Sequence, residues 1–390
     1  MNEIGERNVE AYFDNSATTN TKPLSVKLAT LKALSKKYCA NPGRSSHKLS
    51  LNAENIVFET RERVKNFFNN DNLQNIIFTS GCTEALNMAI FGTLQKNGHV
   101  IYCSNSHNSV ARPIEFLKSK KLISATLLET NSDGKVTAEM VENEINDKTY
   151  LVVVNHTSNV TGATSDIEKI GEICKKHNLL FLVDGAQSAG HVKIDMQKNN
   201  ISMLAVAGHK GLLCAQGIGL LIFRENIKIM PTKFGGTGTH SEALLPPVSY
   251  PESLEGGTGP TPLIFSLNAG LKYVEKNFDK INNRIEILTE FLLKELEKIN
   301  QIKLYTSKTE LNGVVSFTIN NTETSDIVGF LNDNGICVRA GLHCAPLCHK
   351  RMGTLNGGTV RVSLSSFNKK REIKKLIKLL KKYIAIKFNK

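Results

Sequence analysis

The sequence predicts an α/β fold, with a large, mostly parallel sheet followed by a smaller α+β unit. Short apolar runs alternate with helix-period patterns in the order of βαβ units. Several of those runs are apolar throughout, as strands covered on both faces must be. The pattern then changes character after the Gly- and Pro-rich stretch "YPESLEGGTGPTP" (250–262). At 390 residues the chain exceeds what one core usually covers. We therefore expect an N-terminal segment (1–22) that packs with the small unit, a large unit (23–262) and a small unit (263–390), with the turn-rich stretch as boundary.

Taken in order, "NIIFTS" (75–80) reads as a strand, and Gly81 turns the chain into a helix with Ala85, Leu86, Ala89 and Ile90 inward. "HVIYCS" (99–104), "ATLLET" (125–130), "YLVVVNH" (150–156), "LLFLVDG" (179–185), "MLAVAG" (203–208) and "GIGLLIF" (217–223) read as further strands, with a helix over 167–177. Past Pro262 the periodicity predicts one helix over 263–276 and a second over 281–299, with Ile285, Leu288, Leu292 and Leu296 on one side. Strand-like "GVVSFTI" (313–319), helical "SDIVGFLNDNG" (325–335), and strand-like "ICVRA" (336–340) and "TVRVSLS" (359–365) complete the small unit.

The net charge of +13 raises the possibility of a nucleic-acid binder. The segment 369–390 accounts for most of it, with ten basic residues and one acid, which leaves +4 for the rest of the chain. Within that tail Ile373, Leu376, Ile377, Leu380 and Ile384 recur at helical spacing, so an amphipathic helix with a solvated lysine face is expected. The first thirty residues lack a leader pattern and no apolar run reaches membrane-spanning length. Eight scattered cysteines do not make a disulfide framework. A reducing cytoplasm is the expected setting, with no membrane partner.

In open parallel sheets ligands sit at the carboxyl ends of the strands. "FTSGCTEALN" (78–87) puts Ser80, Gly81, Cys82 and Thr83 where a strand hands over to a helix, and free amides there favour a phosphate. "LVDGAQSAGH" (182–191) carries Asp184 just past a buried strand with Gln187 three residues on, and "AGHKG" (207–211) presents Lys210 between two strand-like runs. Lysine is scarce in apolar surroundings unless paired or functional. A lysine to hold an aldehyde as a Schiff base, a carboxylate to keep a ring nitrogen protonated and a phosphate site are the parts that pyridoxal phosphate chemistry needs.

The stretch "GLHCAPLCH" (341–349) packs His343, Cys344, Cys348 and His349 together. A metal cage is disfavoured, because adjacent His343 and Cys344 do not readily face one ion. A Cys344–Cys348 disulfide is disfavoured in a reducing compartment. The third reading is a loop presenting one reactive thiol, whose thiolate positive charge from Arg339 or a protonated histidine would favour.

Together "YFDNSATT" (12–19), "NPGRSSHKLS" (41–50), "SGCTEALN" (80–87), "SNSHNSVARP" (104–113), "NHTSNVTG" (155–162), "VDGAQSAG" (183–190), "GHKG" (208–211), "GGTG" (256–259), "VRAGLHCAP" (338–346) and "TVRVSLS" (359–365) resemble the cysteine desulfurase family, dimeric fold-type I enzymes with the class V aminotransferase fold. The resemblance runs nearly end to end. It implies that pyridoxal 5'-phosphate is bound, with Lys210 as its covalent anchor, Asp184 on the ring nitrogen, His107 stacked on the ring and Gln187 on the phenolic oxygen. Thr83, Cys82 and His209 fall at or beside phosphate-binding positions, and Asn159 lies near cofactor and substrate. Thr258 matches a threonine that reaches the other subunit's phosphate, so a homodimer is implied. Ala207 stands where relatives often carry a hydroxyl, and "GTGP" (257–260) where many read Gly-Thr-Pro-Asn.

The pattern Arg-x-Gly-x-His-Cys-Ala resembles the short-loop, group II desulfurases and selenocysteine lyases, which makes Cys344 the implied catalytic cysteine. Arg361 matches the arginine that grips a substrate α-carboxylate, Arg339 faces the same pocket, and His47 and Arg44 match a partner-subunit segment. The implied reaction converts L-cysteine to L-alanine, leaving a persulfide on Cys344 for a sulfur-acceptor protein. L-selenocysteine is an alternative substrate, another class V activity is a rival, and a non-catalytic basic binding protein is the rival of a different kind. No metal is expected.

Overall fold

The computed structural model describes residues 9–43, 45–238, 242–306, 309 and 311–388. The chain opens with a short strand, β1 (Ala11–Tyr12), then α1 (Leu24–Ala33) and α2 (Lys48–Phe68). Next come β2 (Ile76–Thr79), α3 (Cys82–Gly92), β3 (Gly98–Cys103), α4 (Asn108–Ser119), β4 (Ile123–Leu128), α5 (Ala138–Asn143), β5 (Thr149–Asn155), α6 (Ile167–Lys176), β6 (Leu180–Asp184), β7 (Met203–Ala207) and β8 (Gly219–Phe223). Strands β2 to β8 form one seven-stranded sheet in the order β2-β8-β7-β6-β5-β3-β4. Only β8 runs against its neighbours; the β3–β4, β3–β5, β5–β6 and β6–β7 pairs are parallel.

The continuous apolar runs are strands buried on both faces. Alternate residues of β5 divide between two cores: Val152 and Val154 pack with Val64, Ile170 and Leu267, whereas Leu151 and Val153 pack with Leu86, Ile90 and Ile114. Helices α2 and α6 thus cover one face and α3 and α4 the other, with Ala85, Leu86, Ala89 and Ile90 fully buried.

The region after Pro262 departs from the two separate helices expected there. A single element, α7 (Thr261–Leu296), continues through a kink at Asn277, whose backbone leaves helical values at φ −123° and ψ 15°. The Asn277 Nδ2 donates to the Tyr273 carbonyl at 2.8 Å, so the side chain occupies an acceptor in the turn that bends. Ile264, Leu267 and Leu271 belong to the core of the large sheet, and Leu288, Leu292 and Leu296 to that of the small one.

The second sheet contains β9 (Ile302–Leu304), β10 (Val314–Ile319), and later β12 (Arg339–Gly341) and β13 (Thr359–Ser363), in the antiparallel order β12-β13-β10-β9. Between them lie α8 (Thr324–Asp333), β11 (Ile336–Cys337) and the short α9 (Pro346–Arg351). The run read as one strand over 336–340 is therefore two, and β11 pairs in parallel with β1. The last helix, α10 (Lys370–Phe388), buries Ile373, Leu376, Ile377, Leu380 and Ile384, the residues its period singled out, together with Leu379 and Tyr383. Its lysines lie outward; Lys375 pairs with Glu10, and Lys370 sits 4.2 Å over the Phe291 ring. Among the described residues no helix is long and apolar enough to cross a membrane.

Candidate active site

The carboxyl ends of β2, β5, β6 and β7 meet around a cavity of about 230 Å³ lined by Cys82, Thr83, His107, Asn159, Asp184, Gln187, His209 and Lys210, among others. Strand β2 passes through Ser80 to Gly81, the residue that starts α3 and has no side chain with which to cap it. The backbone amides there remain available to a ligand, save that of Ser80, which donates to Glu84 Oε2 at 2.5 Å. The turn lies flat on β8, since a Cβ on Gly219 would come within 2.5 Å of the Gly81 carbonyl carbon.

Asp184 ends β6 and is 2% exposed. Its Oδ1 accepts from the Ala186 amide at 3.0 Å and from Cys82 Sγ at 3.6 Å. Burial pushes the Cys82 thiol up, and the Asp184 carboxylate adds to that, so Cys82 stays a protonated donor. Lys210 lies on the loop after β7, where burial pushes its ammonium down while Cys82 and Asp184 oppose the change. The loop is held from outside: Thr19 Oγ1 donates to the Lys210 carbonyl at 3.0 Å and Lys22 Nζ to the His209 carbonyl at 2.8 Å. It also touches the loop after β6, for a Cβ on Gly211 would sit 2.2 Å from the Ala189 carbonyl oxygen. Only glycine permits that approach.

His107 caps α4, its Nδ1 accepting from the Ser109 amide at 3.1 Å. An Nδ1 that accepts leaves the proton on Nε2, and burial holds the ring below its ordinary pKa. Gln187 Nε2 donates to the Ser16 carbonyl at 3.0 Å. Two buried polar atoms, Asn159 Oδ1 and His209 Nδ1, have no protein partner. A carboxylate on one strand end, an amine on the next, free amides at a helix start and unpartnered polar atoms suit a small ring that carries a basic nitrogen, a carbonyl and a phosphate.

The four-stranded sheet closes the other side. Arg339 and Arg361 are register partners on β12 and β13, so their side chains leave the same face of that sheet. Arg361 is 1% exposed; its Nη2 meets Asp14 Oδ1 at 2.6 Å and its Nη1 donates to the Asn159 carbonyl at 3.1 Å. Asn159 in turn donates through Nδ2 to the His343 carbonyl at 2.7 Å.

His343 and Cys344 are both left-handed, with φ of 49° and 58°. Such backbone costs about 1–2 kcal/mol per residue outside glycine, and the turn is tied down accordingly. The Asn108 amide donates to the Cys344 carbonyl at 2.7 Å, and His343 Nε2 lies 3.1 Å from the Thr359 carbonyl. Burial, with Arg361 next, pushes His343 down to about 2, so its ring is neutral. The Cys344 thiol is exposed, 3.9 Å from Arg339 Nη2.

Cys348 faces inward, its Sγ 3.8 Å from Met352 Sδ, and burial pushes its thiol up to about 12. His349 is fully buried on Thr354, with Nδ1 to Oγ1 at 2.8 Å. The cluster therefore presents one thiol, and among the described residues no group of His, Cys, Asp or Glu is arranged to hold a metal ion.

Some singled-out residues lie apart from the cavity. Thr258 is exposed in its glycine-rich loop. His47 is exposed and caps α2, accepting from the Ser50 amide at 3.2 Å. Arg44 falls outside the described residues. Conversely, Asp14, Ser16, Ser109 and Asn155 take part in the site without having been assigned a place in it. The stretch "YFDNSATT" contained the first two, but Asp14 finds its partner 347 residues away, which no local pattern encodes.

The family model described as Aminotransferase class-V matches residues 11–376. A protein named probable cysteine desulfurase from Borreliella burgdorferi is 31% identical over 388 residues, covering 96% of this chain and 91% of its own. One of the same name from Methanothermobacter thermautotrophicus is 32% identical, covering 94% and 92%. Among solved structures, the apo cysteine desulfurase of Thermococcus onnurineus NA1 aligns with a TM-score of 0.88 at 29% identity, over 96% of this chain and 94% of that one.

Proposed function

The chain belongs to the class-V aminotransferase family, and from that premise we propose that it is a cysteine desulfurase, converting L-cysteine to L-alanine with Cys344 as sulfur acceptor. The observation that carries the reading is the turn at 343–344. It holds a single exposed thiol beside Arg339, and the Asn108 amide that fixes its carbonyl follows directly on His107 at the cavity. Relatives at 31% and 32% identity over nearly the whole chain carry the same activity in their names.

The cavity residues fit pyridoxal 5'-phosphate, which when bound supplies an electron sink for the bond breaking at the substrate's Cα and Cβ. Lys210 Nζ would carry its aldehyde and Asp184 would hold the proton on its ring nitrogen. The α3 amides, Thr83 and His209 would take its phosphate, with His107 over the ring and Gln187 at the phenolic oxygen. Ala207 contributes no hydroxyl, so the helix amides bear more of that contact than a serine or threonine there would leave them.

Arg361 receives the substrate's α-carboxylate and thereby sets the direction of the Cα–H bond. The Lys210 amine, freed when the substrate's own amine takes its place and held below its ordinary pKa by burial, takes the Cα proton. The Cys344 thiolate attacks the substrate sulfur, so an S–S bond forms as the Cβ–S bond breaks; Cβ takes a proton in place of the sulfur, and the proton held by Lys210 returns to Cα to give alanine. The persulfide, exposed on its turn, passes to a sulfur-acceptor protein. We place Thr258 at the cavity of a second copy, which makes the working unit a homodimer. All eight cysteines are free thiols, which suits a reducing cytoplasm. L-selenocysteine would use the same residues.

The test is formation of alanine and sulfide from cysteine. Cys344→Ala should abolish sulfide release while the cofactor's absorbance band stays unchanged. Sulfide release at the parent rate removes Cys344 from the reaction and the reading with it.

A further inference from the structure

Two guanidinium groups directly opposite on neighbouring strands repel each other, and a fully buried one needs a counter-charge. Arg339 and Arg361 are such a pair, and Arg361 is the buried member. The fold supplies one carboxylate, Asp14, at 2.6 Å from Arg361 Nη2. Asp14 follows β1, whose pairing with β11 brings it alongside β13, where it bridges to Ser363. With Nη2 on Asp14 and Nη1 on the Asn159 carbonyl, Arg361 keeps a buried Nε that has no partner. That N–H is free to donate to a further acceptor.

Of the other groups near the pair, Asn159 and Thr359 are neutral, His343 is held uncharged, and the Lys210 ammonium, which both arginines push down, is offset by Asp184. Cys344, beside Arg339, is the acceptor thiol itself. We propose that Asp14 is a specificity-determining residue. As counter-ion of Arg361 it leaves the Arg339–Arg361 pair with one net positive charge, which matches an amino acid bearing one carboxylate and disfavours one bearing two. The inference rests on the site taking an amino acid, as the desulfurase reading requires.

The experiment titrates the cofactor-loaded protein with L-alanine and with L-aspartate, following the shift of the cofactor's absorbance band. Wild type should bind alanine at least about tenfold more tightly than aspartate. Asp14→Asn, nearly isosteric, should narrow that ratio by about tenfold, because the second carboxylate then meets two uncompensated arginines. Asp14→Glu keeps the charge and should retain the wild-type ratio even where both affinities fall. A lost packing contact alone would weaken both ligands together and leave the ratio in place.

Equal binding of the two amino acids by wild type, an unchanged ratio in Asp14→Asn, or the same shift in Asp14→Glu overturns the proposal while leaving the desulfurase reading intact. The wild-type measurement does so without depending on any variant's folding. A wild-type band that answers to no amino acid overturns both.

Discussion

Replacing His343 with alanine tests whether the turn at 343–344 is held for the purpose of presenting a thiol. Two consecutive left-handed residues at φ 49° and 58° place roughly 2–4 kcal/mol of backbone cost in that turn. Three hydrogen bonds oppose it: Asn159 to the His343 carbonyl, Asn108 to the Cys344 carbonyl, and His343 Nε2 to Thr359. At about 1 kcal/mol net apiece they come close to balancing the strain. Alanine keeps the strain and removes one bond. The presenting geometry should therefore lose about 1 kcal/mol, a population change of roughly fivefold. The assay is single-turnover transfer of sulfur to Cys344, trapped by alkylation and followed by mass spectrometry, with the cofactor band as control. The rate should fall about fivefold with the band unmoved. A rate within twofold of wild type, or a loss that tracks a change in the band, would refute the reasoning.

Two further outcomes follow from the packing and the titration of the same region. Gly211→Ala drives a methyl into the Ala189 carbonyl at 2.2 Å, so the Lys210 loop must shift; stability should drop by about 1–3 kcal/mol, read by denaturant unfolding, and cofactor content should fall with it. His156 and His349 are buried, and burial pushes each from 6.5 down to about 4. The unfolded chain thus binds more protons between those values. Stability should be full above pH 6.5 and fall as pH drops toward 4, by up to about 1.4 kcal/mol per pH unit for each ring. Thermal unfolding across that range checks the sign, and a melting temperature that rises on acidification contradicts it.

Strands of the large sheet were legible because burial on both faces leaves unbroken apolar runs, and "YLVVVNH" or "LLFLVDG" admits few other readings. The lysine, aspartate and glycine at the strand ends were legible for a related reason: polar residues stand out where such runs stop. The course of α7 was not. "EKNFDKINNR" (275–284) looks like a break, yet the helix crosses it with one bent turn, because packing on both sides restores what the sequence lacks locally. Strand β9 is three residues long and half-buried, too short for any period to register. The opposition of Arg339 and Arg361, and Asp14 lying between β1 and the pair, depend on strand register and on contacts across most of the chain. Neither leaves a mark within any window of sequence.

That distance has a consequence for how the protein comes into being. Asp14 leaves the ribosome 347 residues before Arg361, so their ion pair cannot form until that whole stretch has been made. The strand ends that gather around Lys210 are all synthesised by residue 223, well before that point. A nascent chain therefore carries the strand ends that line the cavity long before it carries the arginine that pairs with Asp14. The charge pairing on the second sheet can be completed only after that later stretch has emerged.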